Sequence, residues 1–443
     1  MEGRASGSQS GRRASGLARR IGRAAAALAL CLVAWSAWSP ALRAGTVCDP
    51  GNGGISLPRG FCATVFADHL GPARHMAVRA NGDVYVSLAR PQGGGAVVAL
   101  RDSTGDGHAD RIRRFGSTGG TGIGIHGGYL YVASTTRIVR YRLNRAALVP
   151  QAPPETVVRD MPAQREHSAR SLAFGSDGWL YMNSGAPSNA CQHRDRAPGS
   201  PGIDPCPLLR LHGGIWRFRA DRLHQSYGPA PRFATGIRNA VALAWNGTDG
   251  HLYAVQHGRD QLHGNWPQRY SAVRSARLPA EELFRIEQGD DFGWPYCYYD
   301  ARQQLKVLAP EYGGDGSRVG RCARFKGPLV AFPAHWAPDG LLFYSGRQFP
   351  AAYRGGAFIA FHGSWNRAPE PQQGYKVVFL PMHHGRPGRW HDFARGFAGI
   401  AVVRNPGAAA HRPTGLAQGP DGSLYISDDR GGRIWRVVYA GTR

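Results

Sequence analysis

Lysine is almost missing from this chain: of 54 basic residues only Lys306, Lys326 and Lys376 are lysine, the rest being arginine. The excess over 30 acidic residues gives a formal charge of +24, which would suit nucleic acid, acidic lipid or an anionic ligand. Beyond the amino terminus the arginines are scattered singly and form no patch that would track a phosphate backbone, so no nucleic-acid partner is expected. Helical periodicity is equally scarce, its clearest stretch lying near residues 279–286, which speaks against long helices. No linker sets off a second domain. The seven cysteines include no zinc spacing, and none stands beside a His and an Asp in a nucleophile elbow, which excludes a structural zinc site and thiol catalysis.

What is present is apolar residue and turn former: 42% hydrophobic, with 61 Gly and 31 Pro. This is too apolar for a disordered chain and favours many short strands. At the amino terminus Arg12, Arg13, Arg19, Arg20 and Arg23 precede a short apolar run over residues 24–38 and then Ser39-Pro40-Ala41. This order reads as a secretory signal over residues 1–44, removed from a single domain over residues 45–443. A periplasmic or secreted protein without stable membrane insertion is expected. The six cysteines left after removal fall into sequential couples, Cys48 with Cys62, Cys191 with Cys206 and Cys297 with Cys322. An even count in an exported chain points to disulfides closing local loops.

From residue 45 onward one phrase recurs, a Gly/Asp/Asn turn followed by a strand carrying Tyr. It reads Asn81-Gly82-Asp83-Val84-Tyr85, Gly128-Tyr129-Leu130-Tyr131, Asp177-Gly178-Trp179-Leu180-Tyr181, Asp249-Gly250-His251-Leu252-Tyr253 and Asp421-Gly422-Ser423-Leu424-Tyr425. Each is a hairpin signature, and the spacing is that of propeller blades. Four-stranded sheets that bury their faces only against one another form a radial array, so the fold class expected is all-β, a six-bladed β-propeller of four-stranded antiparallel blades.

Four segments carry residues suited to chemistry. His167 stands just ahead of an apolar strand, where a propeller would place it by the central channel, and an imidazole there could take a proton from a hydroxyl. A histidine held by a backbone carbonyl would leave the same trace. Arg238 and Asn239, again before a strand, pair a planar cation with an amide suited to a carboxylate or quinone oxygen, or to a blade-closing ion pair. In the stretch His257-Gly258-Arg259-Asp260 a glycine loop exposes carbonyl oxygens, and Glu281 follows; hard oxygens of this kind suit Ca²⁺. Around His362, Trp365 and Arg367, with Lys376 behind, the charged groups could hold an acidic ligand while the indole stacks on a flat ring. Separately, the stretch from Asp102 to Asp110 resembles the start of a calcium loop, but Arg113 takes the place of its closing Glu, so a polar hairpin or partial calcium loop is expected.

In their order these segments resemble the pyrroloquinoline quinone (PQQ)-dependent sugar dehydrogenases, the soluble propellers that include glucose, sorbosone and aldose enzymes. The resemblance runs over residues 62–438, most specifically at 167–181, 236–245, 281–297, 361–367 and 412–436. It implies PQQ and Ca²⁺ as cofactors, a sugar as substrate and a separate electron acceptor. It further implies His167 as general base, Arg238 and Asn239 on the quinone, backbone oxygens of Gly258 and Arg259 on Ca²⁺, and Glu281 as the nearby acid. His257 falls where the family has a Gln that contacts the cofactor, and His362, Arg367 and Lys376 match the remaining contacts. One departure stands out: the glucose enzymes carry an Asp beside the catalytic His, in a Gly-Asp step, whereas here Gly185 precedes Ala186. The alternatives are a propeller that only binds a ligand, and a lactonase-type hydrolase, which would need a metal ring of Glu, Asn and Asp.

Overall fold

The computed structural model describes residues 48–441, so the expected leader lies outside the described residues. Six blades of four antiparallel strands follow one another along the chain, the second extended by the short strand Gln225–Ser226, which pairs in parallel with Glu155–Arg159. The first runs through Ala73–Val78, Val84–Gln92, Gly95–Arg101 and Arg111–Phe115, each strand pairing with the next; the following four blades begin with the inner strands Ile123–His126, Leu172–Phe174, Ala242–Asn246 and Pro338–Phe343. The sixth begins with Pro413–Gln418, Leu424–Asp428 and Ile434–Tyr439 and takes its outermost strand, Phe61–Ala67, from the other end of the chain. The six inner strands touch in cyclic order, first to second and on to sixth and first, so the ring is closed.

The recurrent turns fold as their composition requires. Gly82, Gly178, Gly250 and Gly422 take φ of 92°, 78°, 72° and 88°, a left-handed conformation that a Cβ would strain. Each releases a strand whose tyrosine is buried between neighbouring blades, as with Tyr85, Tyr181, Tyr253 and Tyr425. The cores therefore lie between blades. Phe66, Met76, Val86, Leu100 and Ile434 join the sixth blade to the first, and Ala173, Ile215, Leu243, Phe284 and Phe292 join the third to the fourth. A side chain as fully buried as Phe284 contributes about 1.5–3 kcal/mol relative to exposure.

Each blade sends one apolar residue into the channel at mid-height: Met76, Ile123, Leu172, Leu243, Leu341 and Leu416. On one side of this waist stand Phe174 and Trp245; the other side is polar. At the end where the inner strands begin, the residues are Arg74, Thr121, Ser171, Asn239, Asp339 and Thr414. Two long insertions cover that end. They follow the strands Trp179–Ser184 and Glu281–Ile286 and are closed by the disulfides Cys191–Cys206 and Cys297–Cys322, while Cys48–Cys62 ties down the amino-terminal strand. The two insertion disulfides pack with Trp294, Tyr296 and Phe325 in one cluster, which also contains Ala186. Bridges closing loops of this size stabilise by about 2–4 kcal/mol each.

In the stretch from Asp102 to Asp110 the carboxylates serve the backbone. Asp102 accepts from the amides of Gly105 and Gly107, and Asp106 accepts from that of His108. The segment is a polar turn. Among the described residues no helix is long and apolar enough to cross a membrane.

Candidate active site

His167 enters the site in a strained backbone conformation, φ 50°. Gln164 holds it there, its side-chain amide donating to the carbonyls of Glu166, His167 and Gly185 at 2.8–2.9 Å. Contact between the two loops is close enough that a Cβ on Gly185 would come 2.6 Å from the His167 Cβ, so glycine is required there. His167 Nδ1 donates to the Ala186 carbonyl at 2.5 Å. A carbonyl only accepts, so the bond fixes the tautomer and leaves the lone pair on Nε2. Burial, reinforced by the charge of Arg238, holds the imidazole well below its ordinary value of 6.5. The ring is a neutral base at neutral pH, and the acidic limb of kcat/KM is expected below pH 6.5. A limb at or above that value would exclude His167 as the titrating group.

Arg238 is 3% exposed and most of its donors are engaged: Nη2 on Asp260 at 2.7 Å and on Asn189 Oδ1, Nε on the Asn189 carbonyl, and Nη1 on the Gly258 carbonyl at 3.0 Å. Asp260 also takes bonds from Arg196 and Asn366. Asn239 differs. It is 5% exposed, its Oδ1 is buried without a hydrogen-bond partner, and it lines a cavity of 340 Å³ together with Arg74, Thr121, His167, His257 and Asp339. That oxygen packs against the Gly185 backbone, where a Cβ would come 2.9 Å from it; a buried acceptor without a donor carries a desolvation cost.

A second charged chain crosses the mouth. Arg74 binds Asp339 at 3.2 Å and Asp429 at 2.6 Å; His257 Nε2 lies 3.1 Å from Asp339, and His362 Nε2 lies 2.8 Å from Asp429. Burial opposes charge on Asp339, but Arg74 and His257 hold its carboxyl well below the usual range. His257 is correspondingly raised, burial acting against the shift and Asp339 driving it. Beneath the Gly258 loop, Glu281 accepts from the amides of Gly258 and Ala337, and burial pushes it up to about 7.

The structure thus brings His167, Asn239 and His257 to one cavity, with Arg238, Gly258, Glu281 and His362 directly around it. It does not bring Arg367 or Lys376 there. Arg367 is buried and pinned by the carbonyls of Pro371, Ala276 and Ala334 and by Glu370. Lys376 binds Asp392 and covers the Trp336 ring. The Arg259 guanidinium pairs with the buried Glu311, leaving only its backbone for any ligand. Trp365 is 52% exposed. Sequence reasoning missed Arg74, Arg196, Asp260, Asp339 and Asp429. The rule that singled out Asn239, a polar residue where a chain enters an inner strand, applied to every blade would have found Arg74 and Asp339.

Metal fit can be judged from the donors. Among the described residues no group of three or more His, Cys, Asp or Glu converges on a point, and the Gly258 carbonyl already accepts from Arg238. The backbone oxygens of Gly258 and Arg259 suit Ca²⁺ only as part of a shell completed by a ligand's own oxygens.

The TrAA12-like family model matches residues 55–440. The chain belongs to the TrAA12-like family. A carbohydrate-active enzyme of family AA12 from Trichoderma reesei superposes with a TM-score of 0.71 at 20% identity, over 87% of this chain and 98% of that one. The PQQ domain of pyranose dehydrogenase from Coprinopsis cinerea, in its holo form, gives 0.69 at 19% identity, over 87% and 97%. At these identities the likeness concerns the fold, the six-bladed propeller common to the family. In sequence, the PQQ-dependent pyranose dehydrogenase of Coprinopsis cinerea is 25% identical over 238 residues, 46% of this chain and 30% of that protein. The chain spans less than half the length of the curated relatives it matches.

Proposed function

We propose that the cavity binds PQQ and that the protein oxidises an aldose or related sugar at the anomeric hydroxyl, with His167 as general base. The observation that carries this reading is the meeting, on one cavity, of a neutral histidine whose free nitrogen is Nε2 with the side chains of Asn239 and His257. Membership of the TrAA12-like family and the name of the Coprinopsis relative point the same way.

The quinone fits the residues present. Asn239, with its amide turned suitably, donates to a carbonyl oxygen; Arg238 and His257 supply positive charge for an anionic ligand; and the exposed Trp365, beside Asn366 and its bond to Asp260, offers an aromatic face. Bound there, PQQ would supply the two-electron sink that accepts hydride from the sugar. His167 Nε2 takes the hydroxyl proton, while the Ala186 carbonyl holds Nδ1–H and so steadies the imidazolium in place of the absent Asp. Packing of Ala186 with both insertion disulfides, and the bond from its amide to the Arg238 carbonyl, keep the Ala186 carbonyl in position. Ca²⁺, held by the Gly258 and Arg259 carbonyls with oxygens of the ligand, would add Lewis acidity. Export to an oxidising compartment, in keeping with three disulfides, belongs to the same proposal.

Titration of the calcium-loaded protein with PQQ tests the reading, followed by a dye-linked assay on a panel of sugars. Saturable binding and sugar-dependent bleaching are expected, with affinity lowered about tenfold or more in Asn239→Leu. No saturable binding would leave a propeller that holds some other ligand. Chelation is expected to release quinone and Ca²⁺ together; quinone that stays bound would remove the metal from the site.

A further inference from the structure

Oxidation of an alcohol leaves a proton on the base at every turnover, and that proton must go before the next. The ring of His167 has few exits. Nδ1–H is already bonded to the Ala186 carbonyl, which cannot take a proton. Of the charged groups acting on the ring, Arg238 is a cation, His257 is tied to Asp339, and Asp260 is 8% exposed and enclosed by Arg238, Arg196 and Asn366. Glu166 is different. Its Oε1 lies 3.7 Å from His167 Nε2, the nitrogen left free, and its side chain is 29% exposed.

We propose that Glu166 is the first acceptor of the proton collected by His167 and hands it to bulk water. Arg196 binds Glu166 Oε1 and, through Asp260, ties it to Arg238, so the carboxylate is held at the ring and cannot swing into solvent. Ala186 stands where the resemblance places an Asp in the glucose enzymes; its carbonyl takes Nδ1–H, and the carboxylate of Glu166 stands at Nε2. At 3.7 Å the transfer runs through one water or a small rotation of the side chain. In the step the Nε2–H bond of the imidazolium breaks and an O–H bond forms on Glu166; imidazole is restored, and the carboxylic acid then protonates water or a buffer base. No electrons move.

The inference rests on the reading of His167 as the base, and Glu166→Gln tests it, since Gln keeps the size and an oxygen for Arg196. In dilute buffer, turnover with PQQ and sugar is expected to fall about tenfold or more, and imidazole or formate to restore it in proportion to concentration, with quinone binding unchanged. The wild type should not respond to the added buffer. Wild-type turnover in Glu166→Gln, or a loss that no small buffer restores, would overturn the role. A readout free of quinone is the NMR titration of the His167 ring in the ligand-free protein, where loss of the carboxylate should lower the midpoint. Absence of quinone-dependent turnover in the wild type would sink the functional reading itself, whereas an unshifted midpoint in a protein that turns over sinks only Glu166.

Discussion

Replacing His167 by alanine is expected to lower turnover with PQQ and sugar by about a hundred- to ten-thousandfold, the range of a lost general base. Quinone affinity should change little, because Arg238 and Asn239 are positioned from the fourth blade and its preceding loop and do not lean on the imidazole. Equilibrium titration and single-turnover bleaching measure the two effects separately. Retained turnover would dismiss the base, and joint loss of binding and turnover would recast His167 as a contact of the ligand. Gly185→Ala pushes a methyl against His167 Cβ and against Asn239 Oδ1 and should lower both kcat and quinone affinity without removing the ring.

The second large effect concerns stability. Arg74→Met leaves Asp339 and Asp429 with one histidine each where both now share a guanidinium. Asp339 is 4% exposed, and breaking a buried pair by removing one partner costs about 3–5 kcal/mol. Urea unfolding at neutral pH measures the loss. Both carboxyls titrate below the usual range in the folded protein, Asp339 through Arg74 and His257, Asp429 chiefly through His362 and Arg74, each against the opposing effect of burial. Their contribution is therefore present above about pH 4, the unfolded value, and is lost as pH falls towards the folded values. The gap between wild type and Arg74→Met should close in acid. A gap below about 1 kcal/mol at neutral pH would mean that the two histidines suffice.

Five of the six blades were legible in the sequence because each is announced locally, by a turn glycine and a tyrosine strand; the fifth, with Ala357–Phe361 as its second strand, lacks that phrase and followed only from the chain length left over. The couples Cys191–Cys206 and Cys297–Cys322 were legible for the same reason, each closing a loop within one insertion. His167 and Asn239 showed themselves as polar residues abutting apolar strands. Arg74 and Asp339 stand at the same place in their own strands, but their pairing with Asp429 was hidden, because it is made by ring closure: Arg74 and Asp429 are joined at 2.6 Å across a sequence separation that no local pattern spans. Arg367 and Lys376 lie away from the cavity for a local reason. A cation close in sequence to a candidate motif is drawn to the nearest carboxylate or carbonyl, and in Arg367 those partners are Glu370 and three backbone oxygens. The exchange of the expected Asp for Ala186 was visible as a missing side chain, but the carbonyl that replaces it could not be read from residue identity.

The strand Phe61–Ala67 lies against Ile434–Tyr439, so the sixth blade takes its outer edge from a segment that precedes all the other blades in the chain. During synthesis blades one to five can form as they emerge, yet the ion pair between Arg74 and Asp429 has no second half until the sixth blade follows. Deleting Ile434–Tyr439 would keep most of the sheets while losing the clasp that gives them a common centre.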